Sequence, residues 1–268
     1  MPSLSTPQRG RYQSEGFVCP IEVLAADEVD DLRVRYEGLR ADENRDGTML
    51  IHMKPHLLYP WLDRLVRDER ILDVVADVIG PDILLYSDFF VTKEARTGGV
   101  FAFHQDSWGF RLDPMEMVIA WLAFTDSNPA NGCVQMLPGS HLDGGLAHAQ
   151  LKHGDNVLSY GQTVTGVDVS RACDVVLRPG EMSVHHVDMV HASGPNATDD
   201  RRAGYLMRYI APHVRSVGGP KNSVGLMRGQ DYHRHWVHEP DVALHPDRSA
   251  AAHESIIRDH AASSYVYL

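Results

Sequence analysis

Within the run "FAFHQDSWGF", Phe101 to Phe110, a histidine and an aspartate stand two positions apart among aromatic residues. On an extended chain, residues two apart face the same side. His104 and Asp106 therefore project together and offer an imidazole and a carboxylate to one divalent cation. Buried polar pairs more often just satisfy each other by hydrogen bonding, so a metal site needs a third donor. The later stretch "EMSVHHVDMVHASGPN" supplies three candidates, His185, His186 and His191. The first two are neighbours, so a strand turns only one of them inward, and periodicity does not choose among the three. Two histidines and a carboxylate that leave part of the coordination sphere open are the ligand set of non-haem ferrous oxygenases. Zinc hydrolases use similar donors, so the set alone leaves the metal open.

The surrounding elements must carry these side chains to one point. Segment "ADEVDDLRVRYEGLR" places Val29, Leu32, Tyr36 and Leu39 on one helical face, with Asp27 as its N-cap. A second helical region runs from Pro60, suited to a first turn, to the stop signal Gly80-Pro81. Within it Ile71, Leu72, Val75, Val78 and Ile79 recur at helical spacing. From Ile83 the texture changes to short branched and aromatic runs punctuated by Gly, Pro, Asn and Asp: "ILLYSDFFVTK", "VFAFHQD", "MVIAWLAFTD", "CVQMLP", "DVVLRP", "EMSVHHVDM" and "AGYLMRYIAP". Two helices followed by at least seven strands predict a β-sandwich or barrel braced by helices. No repeat or low-complexity linker divides the chain. The expectation is one domain over 1–268, with helices over about 26–80, a mostly β core over about 83–212 and an irregular, His-rich tail over about 213–268.

Charge and composition narrow the classes further. With 268 residues, 43% of them hydrophobic, the chain can bury a full core. A formal net charge of -11 argues against nucleic acid and against an anionic membrane surface as partners. The polar start "MPSLSTPQRGRYQSEG" lacks a signal-peptide core, and the apolar run "MVIAWLAF" is too short to span a bilayer. Cys19, Cys133 and Cys173 are odd in number and scattered, which suits a reducing compartment; a cytoplasmic location is expected.

Three stretches together, "FHQDSWGF", "AWLAFTDSNPANGCVQMLPGSH" and "LRPGEMSVHHVDMVHASGPNATDDRRAGYLMRYIAP", resemble the phytanoyl-CoA dioxygenase-like family of iron(II)/2-oxoglutarate-dependent oxygenases, in its bacterial branch. The similarity runs from about Gly16 to Asp231. It implies a double-stranded β-helix core, a jelly-roll of the cupin kind. It also implies that His104, Asp106 and His191 are the iron ligands and the catalytic centre, because His191 alone opens the H-x-S-G-P-N stretch. By position, Arg202 becomes the anchor for the distal carboxylate of 2-oxoglutarate, assisted by Ser193. A planar, permanently charged guanidinium suits that task. Trp121 and Phe89 match positions lining the co-substrate pocket. In the strand that starts at Arg202, alternation brings Arg208 to the same face, where it can meet an anionic substrate or an internal acid. His52 and Lys54 in "IHMKPHLL", together with Trp108, are further candidates for substrate contact.

The resemblance implies Fe(II), 2-oxoglutarate and O2 as cofactor and co-substrates. The reaction it implies is hydroxylation of an aliphatic C–H bond of a small polar or natural-product substrate, releasing succinate and CO2. Halogenating relatives place a small residue where Asp106 stands, so the carboxylate predicts oxygenation instead. Desaturation, cyclisation and epimerisation use the same ligands and remain alternatives, as do a cupin-like metal-binding domain without turnover and a zinc hydrolase. The "DSWGF" segment departs from the D-x-x-Y-W-G of phosphonate-oxidising relatives, which speaks against a phosphonate substrate.

Overall fold

A computed structural model describes residues 3–46, 53–150, 155–158, 160–218 and 222–262. Among them two sheets stack face to face. The larger has seven strands in the spatial order Phe17–Glu22, Glu181–His186, Val118–Ala123, Arg202–Ile210, Ile83–Lys93, Ser223–Arg228 and Val237–His238, antiparallel except for the last pair. The smaller runs Phe101–His104, His191–Ser193, Val134–Met136 and Cys173–Val175, antiparallel throughout. Sequential neighbours are thus split between the sheets, as the jelly-roll expectation requires.

Helices cover the outer face of the large sheet. Residues Glu69–Ile79 form a helix whose Ile71, Leu72, Val74 and Val75 are buried, while Val78 and Ile79 pack partly buried beside them. Each fully buried side chain of that size contributes about 1.5–3 kcal/mol of transfer free energy. The region after Pro60 is two helices, since Pro60–Val66 ends at Arg67 and Asp68 caps the next. Helix Ala26–Asp46 begins one residue before the expected cap. Asp27 sits in its first turn, and Glu28 instead accepts a hydrogen bond from the Ala25 amide. The polar start forms a further helix, Thr6–Glu15, closed by a Ser5–Gln8 capping box.

The tail is more ordered than its composition suggested. Ser223–Arg228 joins the large sheet beside Ile83–Lys93, and Pro246–Ala262 is helical. A buried charge network anchors it. Lys54 Nζ lies 2.5 Å from Glu239 Oε1 and donates to the Ser223 carbonyl. His56 bridges Asp88, 2.6 Å away, and Glu239, 3.2 Å away, and the Tyr205 hydroxyl also donates to Asp88. Asp88 stands on the helix-facing side of its strand, next to Phe89, which faces the other sheet. The network therefore fixes the back of the wall whose front forms the cavity.

Burial opposes charge on His56, but Asp88 and Glu239 outweigh it and raise the imidazole to about 9. A folded value above the unfolded value of 6.5 means the stabilisation is fully present below about pH 6.5 and is lost as pH rises through 9. The amount at stake is roughly 3 kcal/mol. Denaturant midpoints measured from pH 6 to 10 are expected to fall in the wild type, and to fall less in His56→Gln. Parallel pH profiles for the two proteins would remove His56 as the titrating group.

Candidate metal centre and co-substrate pocket

His104 ends the strand Phe101–His104, and His191 opens the strand Glu181–His186 is followed by, His191–Ser193; the two are directly paired across the small sheet. Their rings lie 4.2 Å apart, centroid to centroid. Asp106 is not on the strand as the spacing suggested. It opens a short 3-10 turn, Asp106–Gly109, but the intervening Gln105 is extended, so the carboxylate still projects to the side of His104. Gln105 itself is fully buried. Its amide donates to the Gly144 and Asp188 carbonyls and its oxygen accepts from the Leu146 amide, which locks the turn in place.

The donor atoms converge. One from each of His104, Asp106 and His191 lie within 4.8 Å of one another. Asp106 Oδ1 is 3.5 Å from His104 Nε2 and 3.8 Å from His191 Nε2. Both histidines spend Nδ1 on a backbone carbonyl two residues back, Ala102 at 2.7 Å and Met189 at 2.9 Å. A carbonyl can only accept, so Nδ1 carries the proton and each Nε2 presents a lone pair inward. Asp106 divides its oxygens: Oδ2 receives Arg208 Nη2 at 2.8 Å, while Oδ1 faces the imidazoles. Burial works against the Asp106 anion, yet Arg208 and the two histidines hold it well below the usual carboxylate range. Burial and His104 push His191 down to about 4, toward its neutral form. An ionised carboxylate and two imidazoles turned with Nε2 toward it fit a divalent first-row metal.

A cavity of about 180 Å³ opens from this triad between the sheets. At its other end lies Arg202, 1% exposed. Its Nη1 donates to the Gly132 carbonyl and lies 3.4 Å from Ser193 Oγ, and its guanidinium sits 5.2 Å from the Trp121 ring. Ser193 donates to the same Gly132 carbonyl. Lys93, directly opposite Arg202 across the strands, is also buried; its ammonium reaches the carbonyls of Gly99 and Ser193 and lies 4.9 Å from the centre of the Phe101 ring. Among the described residues neither cation has an acidic partner. Burial pushes Arg202 down to about 10, and burial with the neighbouring Arg202 pushes Lys93 down to about 8. Two adjacent buried cations of this kind suit an incoming carboxylate.

Of the other candidates, Trp121 and Phe89 line the cavity. Trp121 can lie there because Gly204, on the facing strand, has no Cβ to meet its ring. Arg208 also lines the cavity, held between Phe89 and Phe110 at 5.0 and 5.1 Å and committed to the internal acid Asp106. Trp108 does not line it. The indole is 40% exposed and packs near His148 and Tyr160. Lys54 is corrected outright: it lies behind the sheet in the Glu239 network, because burial commits its charge to that acid. His52 falls outside the described residues.

Ser183, which sequence reasoning missed, and His185, which it weighed only as a third metal donor, both line the cavity. Their signal was there: polar side chains two apart in "EMSVHH", a strand buried on both faces. His186 faces outward, where Nδ1 accepts from the Asp188 amide. The Gly132 carbonyl orients both Arg202 and Ser193, a backbone role that residue types do not signal.

Residues 12–204 match the family model described as "Phytanoyl-CoA dioxygenase (PhyH)". The "Probable alpha-ketoglutarate-dependent hypophosphite dioxygenase" of Stutzerimonas stutzeri is 29% identical over 217 residues, 76% of this chain and 75% of that protein. The "Ectoine dioxygenase" of Bordetella parapertussis is 27% identical over 155 residues, 52% of this chain and 50% of that protein. A solved structure named "non-heme monooxygenase; ThoJ apo" is 31% identical and superposes with a TM-score of 0.79 over 94% of this chain and 99% of that one. CytC3 with Fe(II) and alpha-ketoglutarate shares the fold, with a TM-score of 0.65 at 21% identity over 87% of this chain and 92% of its own. No helix among the described residues is long and apolar enough to cross a membrane.

Proposed function

Because this chain belongs to the phytanoyl-CoA dioxygenase family and is an iron(II)/2-oxoglutarate-dependent dioxygenase, we propose that it hydroxylates an aliphatic C–H bond of a small molecule, with His104, Asp106 and His191 holding the iron and Arg202 with Ser193 holding 2-oxoglutarate. The observation that carries the reading is the buried Arg202 without an acidic partner, at the far end of the cavity that the three donors close. When bound, the metal and co-substrate supply oxidative decarboxylation of 2-oxoglutarate to succinate and CO2, coupled to oxygen insertion into a C–H bond.

The chain's own residues bind, orient and exclude water. The Ala102 and Met189 carbonyls fix the tautomers that present Nε2. Arg208 takes one oxygen of Asp106 and leaves the other for the metal. Trp121, Phe89 and Leu206 give the co-substrate apolar walls, so the Arg202–carboxylate contact forms in a poorly solvated place. Asp106 fills the position where a halide would need space, which supports oxygenation over halogenation. Trp108, within the turn that Asp106 opens, is the substrate contact we assign at the surface.

Anaerobic addition of Fe(II) and 2-oxoglutarate is expected to give a weak visible charge-transfer band, and admission of O2 with a substrate library to give succinate and a product heavier by one oxygen. Absence of the band would leave a metal-binding domain without turnover. A product lighter by two hydrogens would replace hydroxylation by desaturation or ring closure.

A further inference from the structure

Resting on the assignment of Arg202 and the metal ligands above, we propose that His185, supported by Ser183, is a further co-substrate-binding residue, whose imidazole donates to the metal-proximal carboxylate of 2-oxoglutarate.

The inner face of the large sheet is ordered in cross-strand rows. Arg202 stands opposite Lys93 in one row. Two rows further on, Phe89, Leu206, Trp121 and Ser183 lie abreast, and the next row holds Ser87, Arg208, Ile119 and His185. Through Arg208 that last row reaches Asp106. The His185 ring is 5.3 Å from that of His191. A dicarboxylic acid gripped at one end by Arg202 therefore presents its other end to the row of His185.

His185 is buried, and among the described residues neither of its ring nitrogens has a hydrogen-bond partner. The Ser183 hydroxyl and the Trp121 indole N–H on the same wall are buried and unpartnered too. Buried polar groups left unpaired are costly, so three of them on one wall of one cavity mark where polar ligand atoms belong. Arg202 and Ser193 would hold one carboxylate of 2-oxoglutarate, and the other would have no protein donor among the residues assigned so far. A neutral imidazole supplies that donor. The side chain is buried in the cavity wall, in the row of Arg208, where a co-substrate held between Arg202 and the metal ligands would reach it.

The test is calorimetric and needs no turnover. 2-Oxoglutarate is titrated into manganese-loaded wild type, His185→Phe, His185→Gln and Arg202→Ala. His185→Phe is expected to weaken binding about tenfold or more, the loss of one hydrogen bond to a charged group, and His185→Gln to recover most of it. Manganese affinity should stay within about threefold, and ligand-free His185→Phe should melt no lower than wild type, since an unpaired polar group is gone. Wild-type 2-oxoglutarate affinity in His185→Phe, alongside a loss in Arg202→Ala, overturns this role alone. Wild-type affinity in Arg202→Ala as well overturns the co-substrate site. A tenfold drop in manganese affinity would make His185 a ligand instead. Should His185→Phe not fold, Ser183→Ala replaces it: an unchanged affinity there overturns the proposal, and a severalfold loss supports it.

Discussion

Alanine at His104 or at His191 is expected to lower succinate formation by more than 100-fold and to remove metal binding seen by calorimetry. Residues that merely orient a metal ligand typically cost 10- to 100-fold when lost, so the loss of a ligand must exceed that. Two donors remain in either variant, too few to hold a divalent ion against water. The fold is expected to survive. Strand pairing on both sides of His191, to His104 and to Met136, runs through the backbone, and the rings are not part of the main hydrophobic clusters. Unchanged far-UV circular dichroism with lost metal binding is the expected signature. Full turnover in either variant would strike that histidine from the metal site.

The second large effect falls on co-substrate affinity. Arg202→Ala should raise the 2-oxoglutarate requirement by about 30- to 1000-fold, the usual cost of removing one side of a buried, hydrogen-bonded charge pair. Metal affinity should change little, because Arg202 touches Gly132 and Ser193 and not the triad. Arg202→Lys should recover only part of the loss, since an ammonium keeps the charge but not the planar fork. Initial rates against 2-oxoglutarate at saturating iron measure this directly. An unchanged requirement would move the anchor, with Lys93 the next cation to test.

Much of this site could be read from residue types. The H-x-D spacing and the H-x-S-G-P-N stretch pointed to the three donors, and alternation from Arg202 put Arg208 on the same face. What spacing could not supply was register. Nothing in the sequence says that His104 and His191 sit directly opposite each other, because pairing at a separation of 87 residues is decided by both sheets at once. His185 and His186 are chemically alike and differ only in which way a strand turns them. Lys54 looked like a pocket residue because an isolated cation among apolar residues demands a partner. The partner, Glu239, lay 185 residues away in a tail whose composition reads as loop. The helix Thr6–Glu15 was hidden for a related reason: apart from Tyr12 it buries almost nothing, so its capping box is its main signal.

Segments from outside the central run of strands flank the large sheet at both limits. Phe17–Glu22, interrupted by Pro20, covers one side, and Ser223–Arg228 with the two-residue Val237–His238 covers the other. In the large sheet the cavity-lining strands Glu181–His186, Val118–Ala123, Arg202–Ile210 and Ile83–Lys93 are consequently interior ones, while the outermost positions are short or proline-bearing and make poor templates for aggregation. Trimming the chain before Phe17–Glu22 ends would uncover Glu181–His186, the strand of Ser183 and His185, so solubility and ligand binding would be lost together.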